Sequence, residues 1–145
     1  MFKHVLLPTD GSILSQAAIQ KGVQFAKSMQ AKITGISVMP EQKYYLYHTD
    51  ITVQVKEETA KQHKTLSDQN LSVIEKAAKN AGVPCETLCE TSDHPHEKII
   101  EIAEKRGCDL IMMASHGRRG VKGLLLGSET QKVLTHSKIP VLVYR

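Results

Sequence analysis

The sequence predicts an α/β fold: one domain over 1-145, built on an open five-stranded parallel sheet with helices on both faces. Three observations lead there. Short apolar runs alternate with longer segments whose apolar residues recur every three or four positions, in the order βαβαβαβαβ. Turn-forming residues follow the apolar runs, as expected of strands buried on both faces. A length of 145 residues, with 41% hydrophobic and 23% charged side chains, suits one folded core and argues against disorder. At this size roughly two-thirds of the unfolded chain's surface is buried on folding.

The first strand is Val5-Leu6-Leu7, stopped by Pro8-Thr9-Asp10-Gly11-Ser12. Ser12 or Asp10 caps the helix that follows, whose stripe is Leu14, Ala18, Gly22, Phe25 and Met29. Ile33 to Met39, rich in β-branched residues, is the second strand and ends at Pro40. Residues 40–50 have no period and read as a loop containing Tyr44, Tyr45 and Tyr47. A long polar helix starts near Ile51 or Val53 and runs to Ala81, with Leu66, Val73, Ile74 and Ala77 inward and Gly82 as its stop. A weaker strand follows from Val83 to about Thr91. Pro95 opens the next helix, with Asp93 or His94 as cap and Ile99, Ile100 and Ala103 as its buried stripe; Gly107 closes it. Asp109 to Ala114 is the fourth strand, followed by a glycine-rich loop over 115–127 and a helix from about Ser128 to Ser137. Pro140 to Tyr144 is the last strand. Each crossover is expected to be right-handed.

Composition narrows the function. Nineteen Lys and Arg against fifteen Asp and Glu give a net charge of +4, which suits a small anion but lacks the dense basic stripe of a nucleic-acid binder. With 4% aromatic residues and no tryptophan, the chain offers no stacking platform for single strands. No apolar run reaches the length of a membrane span, and the opening apolar stretch is too short for a signal peptide, so a cytoplasmic location is expected. The three cysteines, Cys85, Cys89 and Cys108, are expected as small buried side chains rather than as a disulfide or metal set.

In open α/β sheets ligands lie beyond the carboxyl ends of the strands where the winding reverses. The loops after the first and fourth strands both carry phosphate-binding chemistry. In the second of them, Gly117, Gly120 and Gly123 can expose successive amides, and Arg118, Arg119 and Lys122 add positive charge. Gly127-Ser128 opens a helix, so amides and dipole face an anion, with the Ser128 and Thr130 hydroxyls as further donors. This is neither a Walker A loop nor a dinucleotide fingerprint, because the required triplet and glycine spacing are absent. The plain alternative is a solvated surface loop.

Gly117, nine intervening residues and Gly127-Ser128 resemble the second half of the nucleotide motif of the universal stress protein family (the UspA superfamily): glycine, two residues, glycine, nine residues, then glycine with serine or threonine. Ala114 replaces the motif's first glycine, and its methyl group crowds the ligand position. The opening Leu7-Pro8-Thr9-Asp10-Gly11-Ser12 and the closing Ile139-Pro140-Val141-Leu142-Val143 resemble the family's two ends. The resemblance implies strand order 3-2-1-4-5 and ATP, or ADP or AMP, between strands one and four. It implies Asp10 on the ribose or on a metal near the phosphates, Val38 meeting the adenine through its backbone, and Pro8, Thr9 and Met113 lining the same pocket. It implies Gly117, Gly127, Ser128 and Thr130 on the phosphates. Glu129 lies in this segment with only its amide to offer, so its carboxylate points away or toward a cation. Mg2+ would offset the triphosphate charge with few protein ligands, and Asp10 is the one carboxylate assigned to it; a turn residue at the helix start is its plain alternative.

His116 lies inside the phosphate loop, where it approaches the triphosphate or shapes the loop by a hydrogen bond. Cys85 and Cys89 on one strand face are roughly 13 Å apart, too far to chelate together. His94-Pro95-His96 reads as a polar helix entry rather than a metal site. The tyrosine cluster packs on the next helix or covers the adenine side. Three functions follow: a cytoplasmic ATP-binding regulatory module of the stress response acting on an unknown protein partner; a nucleotide-independent dimeric interaction module with a vestigial loop; or a slow ATPase without an evident water-positioning base. A homodimer through strand 140–144 is implied by the family and removes an apolar edge. Neither a nucleic-acid partner nor membrane insertion is expected.

Overall fold

The computed structural model describes residues 1–42, 53–118 and 126–145. The expectations for Tyr44, Tyr45, Tyr47, Arg119, Gly120, Lys122 and Gly123 lie outside the described residues. The elements are β1 His4–Pro8, α1 Ile13–Met29, β2 Lys32–Met39, α2 Val53–Ala81, β3 Cys85–Thr91, α3 Pro95–Lys105, β4 Leu110–Ala114, α4 Ser128–His136 and β5 Val141–Tyr144. Five parallel strands form one sheet in the order β3-β2-β1-β4-β5, as the family resemblance implies.

Local chemistry fixes the ends of these elements. Ser12 is the N-cap of α1, its hydroxyl accepting the Ser15 amide at 3.2 Å. Gln30 ends α1 in the left-handed region, its N–H donated to the Ala26 and Lys27 carbonyls. Pro95 takes the first position of α3, where its missing N–H has no intrahelical partner to lose. His94 occupies the N-cap position without a side-chain cap bond, and its own amide donates to Ser92 Oγ at 3.0 Å.

Two apolar clusters pack on opposite faces of the sheet. Val5, Leu7 and Ile33 meet Ile19 and Val23 of α1 and Leu71 and Ile74 of α2. Leu6, Ile36, Ile111 and Met113 meet Ile99 and Ile102 of α3 and Val133 of α4. Alternation along each strand divides the residues between the faces, as a sheet covered on both sides requires.

Three expectations are corrected. The buried seam of α2 is Ser67, Asn70, Leu71, Ile74 and Ala78, while Leu66, Val73 and Ala77 are only half-buried. Two polar residues, Ser67 and Asn70, therefore lie on the buried seam. On α3, Ile102 rather than Ile100 completes the buried stripe. Cys85 and Cys89 are exposed because β3 is an edge strand; only Cys108 is buried.

Candidate functional site

The chain winds from β1 outward to β3 and then returns to β4 on the other side of β1. The winding direction therefore reverses between β1 and β4, and the segments leaving their carboxyl ends flank the position at which open α/β sheets carry a ligand crevice. One wall is 9–12, after β1. Thr9 is buried, its amide donated to the Ile36 carbonyl at 2.9 Å. Its hydroxyl oxygen accepts the Gly11 amide at 3.2 Å and the Ser15 hydroxyl at 2.8 Å. Asp10 Oδ1 accepts the Ser12 amide at 3.0 Å, which sets the turn that leads into α1.

The other wall is built from the end of β4 and the start of α4. Met113 and Ala114 end β4 as buried residues, and the Ser115 amide donates to the Tyr144 carbonyl at 2.7 Å. The Gly127 amide donates back to the Ser115 carbonyl at 2.6 Å. A β-carbon on Gly127 would stand 3.2 Å from that carbonyl oxygen and 3.4 Å from His116 Cα, so the helix start rests directly on the 115–117 strand exit. The Thr130 hydroxyl donates to the Ala114 carbonyl at 3.0 Å, tying α4 to β4; its proton is thereby committed away from any ligand. His116 Nδ1 is 2.9 Å from Ser115 Oγ, a loop-shaping contact of the kind its position suggested.

The two walls meet at Asp10. Its Oδ2 accepts the Arg118 amide at 2.8 Å across a separation of 108 residues. A β-carbon on Gly117 would lie 2.3 Å from the same oxygen. Arg118 also folds its guanidinium over the first wall, with Nη2 2.9 Å from the point where Gly11 would carry a β-carbon.

This crevice suits an anion. Gly127 is the N-cap of α4 and supplies no side-chain bond to the first turn. The amides of Ser128, Glu129 and Thr130 have no intrahelical acceptor at that position, and the helix dipole adds partial positive charge. Glu129 does not block them. Its Oε2 accepts both the His96 amide and His96 Nδ1 at 3.0 Å, and Oε1 accepts Lys132 Nζ at 3.1 Å. Burial alone would raise its pKa, but the bonds from Lys132 and His96 outweigh it and hold the carboxyl below its ordinary value. Glu129 thus points to α3, away from the crevice.

On the α3–α4 face, Val38 at the end of β2 packs against the cluster that contains Met113, with Pro8 half-buried at the end of β1. That grouping offers an apolar patch beside the anion position. Metal chemistry has less support: among the described residues, no group of three or more His, Cys, Asp or Glu is arranged to hold an ion. Among the described residues Asp10 is the one carboxylate at the site, with one amide on each oxygen.

Asn70 of α2 was not foreseen. It is buried beside Gly11, with Oδ1 2.2 Å from the β-carbon position, and its Nδ2 has no hydrogen-bond partner among the described residues. Its sequence signal was a polar residue four before Ile74 on the inward seam, where an apolar one is the rule.

The model of the universal stress protein family matches residues 1–145. The universal stress protein YxiE of Bacillus subtilis is 32% identical over 149 residues, covering the whole of both chains. Universal stress protein MJ0577 of Methanocaldococcus jannaschii is 31% identical over 159 residues, covering 100% of this chain and 96% of the relative. The solved structure of MJ0577 superposes with a TM-score of 0.79 at 29% identity, covering 99% and 95% of the two chains. Two further fold neighbours are nucleotide complexes. One is a universal stress protein with cAMP, at TM-score 0.66 and 23% identity over 99% and 97% of the chains. The other is that of Archaeoglobus fulgidus with dAMP, at 0.69 and 13% over 100% and 98%. With the family model spanning every residue and relatives above 30% identity matched end to end, this chain belongs to the universal stress protein family.

Proposed function

We propose that this protein binds an adenine nucleotide, with ATP as the leading candidate, in the crevice between β1 and β4, and acts as a cytoplasmic nucleotide-dependent regulator in stress response. The observation that carries the reading is the uncapped α4 N-terminus, which rests on the 115–117 segment, itself bridged to Asp10 through the Arg118 amide. Nucleotide complexes among its fold neighbours support the ligand class. In this reading the amides of Gly117, Ser128, Glu129 and Thr130 hold the phosphates, while the Gly127 amide stays on the Ser115 carbonyl. Val38 and Met113 border the base, and the Ala114 methyl narrows the floor. Mg2+, if carried in with the triphosphate, is met by Asp10. Titration calorimetry of nucleotide-free protein with ATP and Mg2+ tests this: saturable binding is expected, and its absence defeats the reading. Mass spectrometry of compounds released on denaturing freshly purified protein identifies the nucleotide.

A homodimer through β5 belongs to the same proposal. Among the described residues that strand is hydrogen-bonded to β4 alone, and Leu142 on it and Leu134 on α4 are exposed. Light scattering is expected to give twice the monomer mass at micromolar concentration, and Leu142→Glu to shift it toward monomer.

A further inference from the structure

We infer that the Thr34 hydroxyl is a reversible donor, turning from His4 to Glu86 when the His4 ring gains a proton, and that it makes the amino end of the sheet a pH-sensitive junction. The junction lies at the opposite end of the strands from the crevice, so it stands apart from the nucleotide reading. His4, Thr34 and Glu86 come from β1, β2 and β3. Two residues on from each stand Leu6, Ile36 and Leu88, all packed toward α3, so the three polar side chains share that face of the sheet. His4 Nε2 is 2.7 Å from Thr34 Oγ1, and Oγ1 is 3.0 Å from Glu86 Oε1. Glu86 Oε2 accepts Arg106 Nη1 at 3.2 Å, from the C-cap residue of α3. His4 and Thr34 are buried, whereas Glu86 and Arg106 reach solvent.

The switch follows from counting protons. A hydroxyl has one to give, and an ionised carboxylate can only accept. A neutral imidazole has one N–H and one bare nitrogen. With Nε2 turned to Thr34, the ring also meets the Arg106 backbone, a hydrogen bond that favours a proton on the other nitrogen. The neutral ring therefore leaves Nε2 bare, and the Thr34 hydroxyl donates to it. Glu86 then gives up that proton and keeps the Arg106 guanidinium on Oε2. In the charged ring both nitrogens donate, so Nε2 gives its proton to Oγ1 and the hydroxyl rotates to Glu86. The added proton comes from solvent, and no other bond is broken. A chain now runs from imidazolium to carboxylate through one hydroxyl, each bond polarising the next.

The surroundings set the range. Burial first, and then Lys32 on β2, oppose charge on the ring, while Glu86 and Asp109 favour it. The Asp109 carboxylate is committed to the Lys3 and His4 amides at 2.8 and 3.0 Å. Burial pushes the Cys108 thiol up to about 11, so it stays neutral and is only a weak partner for Thr34. The reversal thus falls below pH of about 6.5, the ordinary histidine value.

The test is NMR of the full chain, reading the imidazole nitrogens of His4 and the side-chain carboxyl carbon of Glu86 from neutral pH down to the onset of acid unfolding. At neutral pH the His4 ring should carry its proton on Nδ1, with Nε2 bare. On acidification both nitrogens should become protonated, and the Glu86 carboxyl signal should show an extra inflection at the His4 midpoint. Thr34→Val removes the hydroxyl with little change of shape, and the inflection should shrink to about a third or less. Thr34→Ser should keep it. A neutral ring protonated at Nε2 overturns the inference, because the hydroxyl would then face Glu86 at every pH. So does a Glu86 inflection of equal size in Thr34→Val, or a His4 ring that takes up no proton before the fold is lost. The ring readouts use the wild type alone, so they decide the matter even where Thr34→Val does not fold.

Discussion

Asp10 Oδ2 and the α-carbon of Gly117 are packed so closely that a β-carbon at residue 117 would lie 2.3 Å from the carboxylate oxygen. These residues belong to different strand exits, after β1 and after β4. Glycine at 117 is thus a requirement of the neighbouring wall as well as of any ligand.

Gly117→Val is expected to keep the fold, because the collision can be relieved by moving the Asp10 side chain at a half-exposed rim. The bridge to the Arg118 amide would be lost, and nucleotide affinity should drop by about tenfold or more, which is about 1.4 kcal/mol. Circular dichroism set beside calorimetry checks both halves of the statement.

Gly11→Ala acts on stability instead. Residue 11 has φ +78, in the left-handed region, and an added methyl group would meet Asn70 Oδ1 at 2.2 Å. Urea unfolding is expected to show a loss of about 1–3 kcal/mol, since backbone strain and a buried collision act together.

Ser67→Ala is expected to raise stability. Ser67 is fully buried on α2, and its hydroxyl has no hydrogen-bond partner among the described residues. Removing an unsatisfied buried hydroxyl should gain up to about 1 kcal/mol, read as an increase in the urea midpoint at unchanged slope.

His4 gives the fold a pH dependence. The ring is buried, with Nε2 2.7 Å from Thr34 Oγ1. Burial first, and then the Lys32 ammonium, hold its pKa below the ordinary value; Glu86 and Asp109 pull the other way with less effect. The folded ring stays neutral where an unfolded one takes up a proton, so the contribution is fully present above pH of about 6.5 and is lost as pH falls below it toward the folded pKa. Melting curves between pH 7.5 and 5.5 should show Tm decreasing, with a flatter profile for His4→Gln. Asp109 acts in a lower window. Burial would raise its pKa, but the His4 and Lys3 amides bring it below the carboxylate value, so its contribution disappears only in stronger acid.

The strands and the sheet order were legible because apolar runs such as Val5-Leu6-Leu7 and Ile111-Met112-Met113 have few alternatives to burial in a parallel sheet, and because the terminal motifs carried a family resemblance. The rotation of α2 was not legible. Its apolar residues allow more than one inward stripe, and the stripe chosen by packing includes Ser67 and Asn70, which hydropathy assigns to water. The exposure of Cys85 and Cys89 followed from β3 lying at the margin, which composition does not encode. Within the crevice, the chain neighbours of the glycine motif could be named from sequence, including the turned-away carboxylate of Glu129. The partners that reach it from afar could not: His96 holds Glu129 across 33 residues, and Asn70 reaches Gly11 from a different helix.

The long helix α2 has a mechanical consequence of its own. None of its residues from Val53 to Leu66 is buried, and its buried seam begins at Ser67. That leading half is about as long as the shortest peptide that holds a helix unaided in water, so little buried apolar surface supports it ahead of the anchored end. It should fray progressively from its tip while the rear half stays locked to the sheet, giving a cantilever whose stiffness is set at Ser67 and Asn70, next to the turn that carries Asp10.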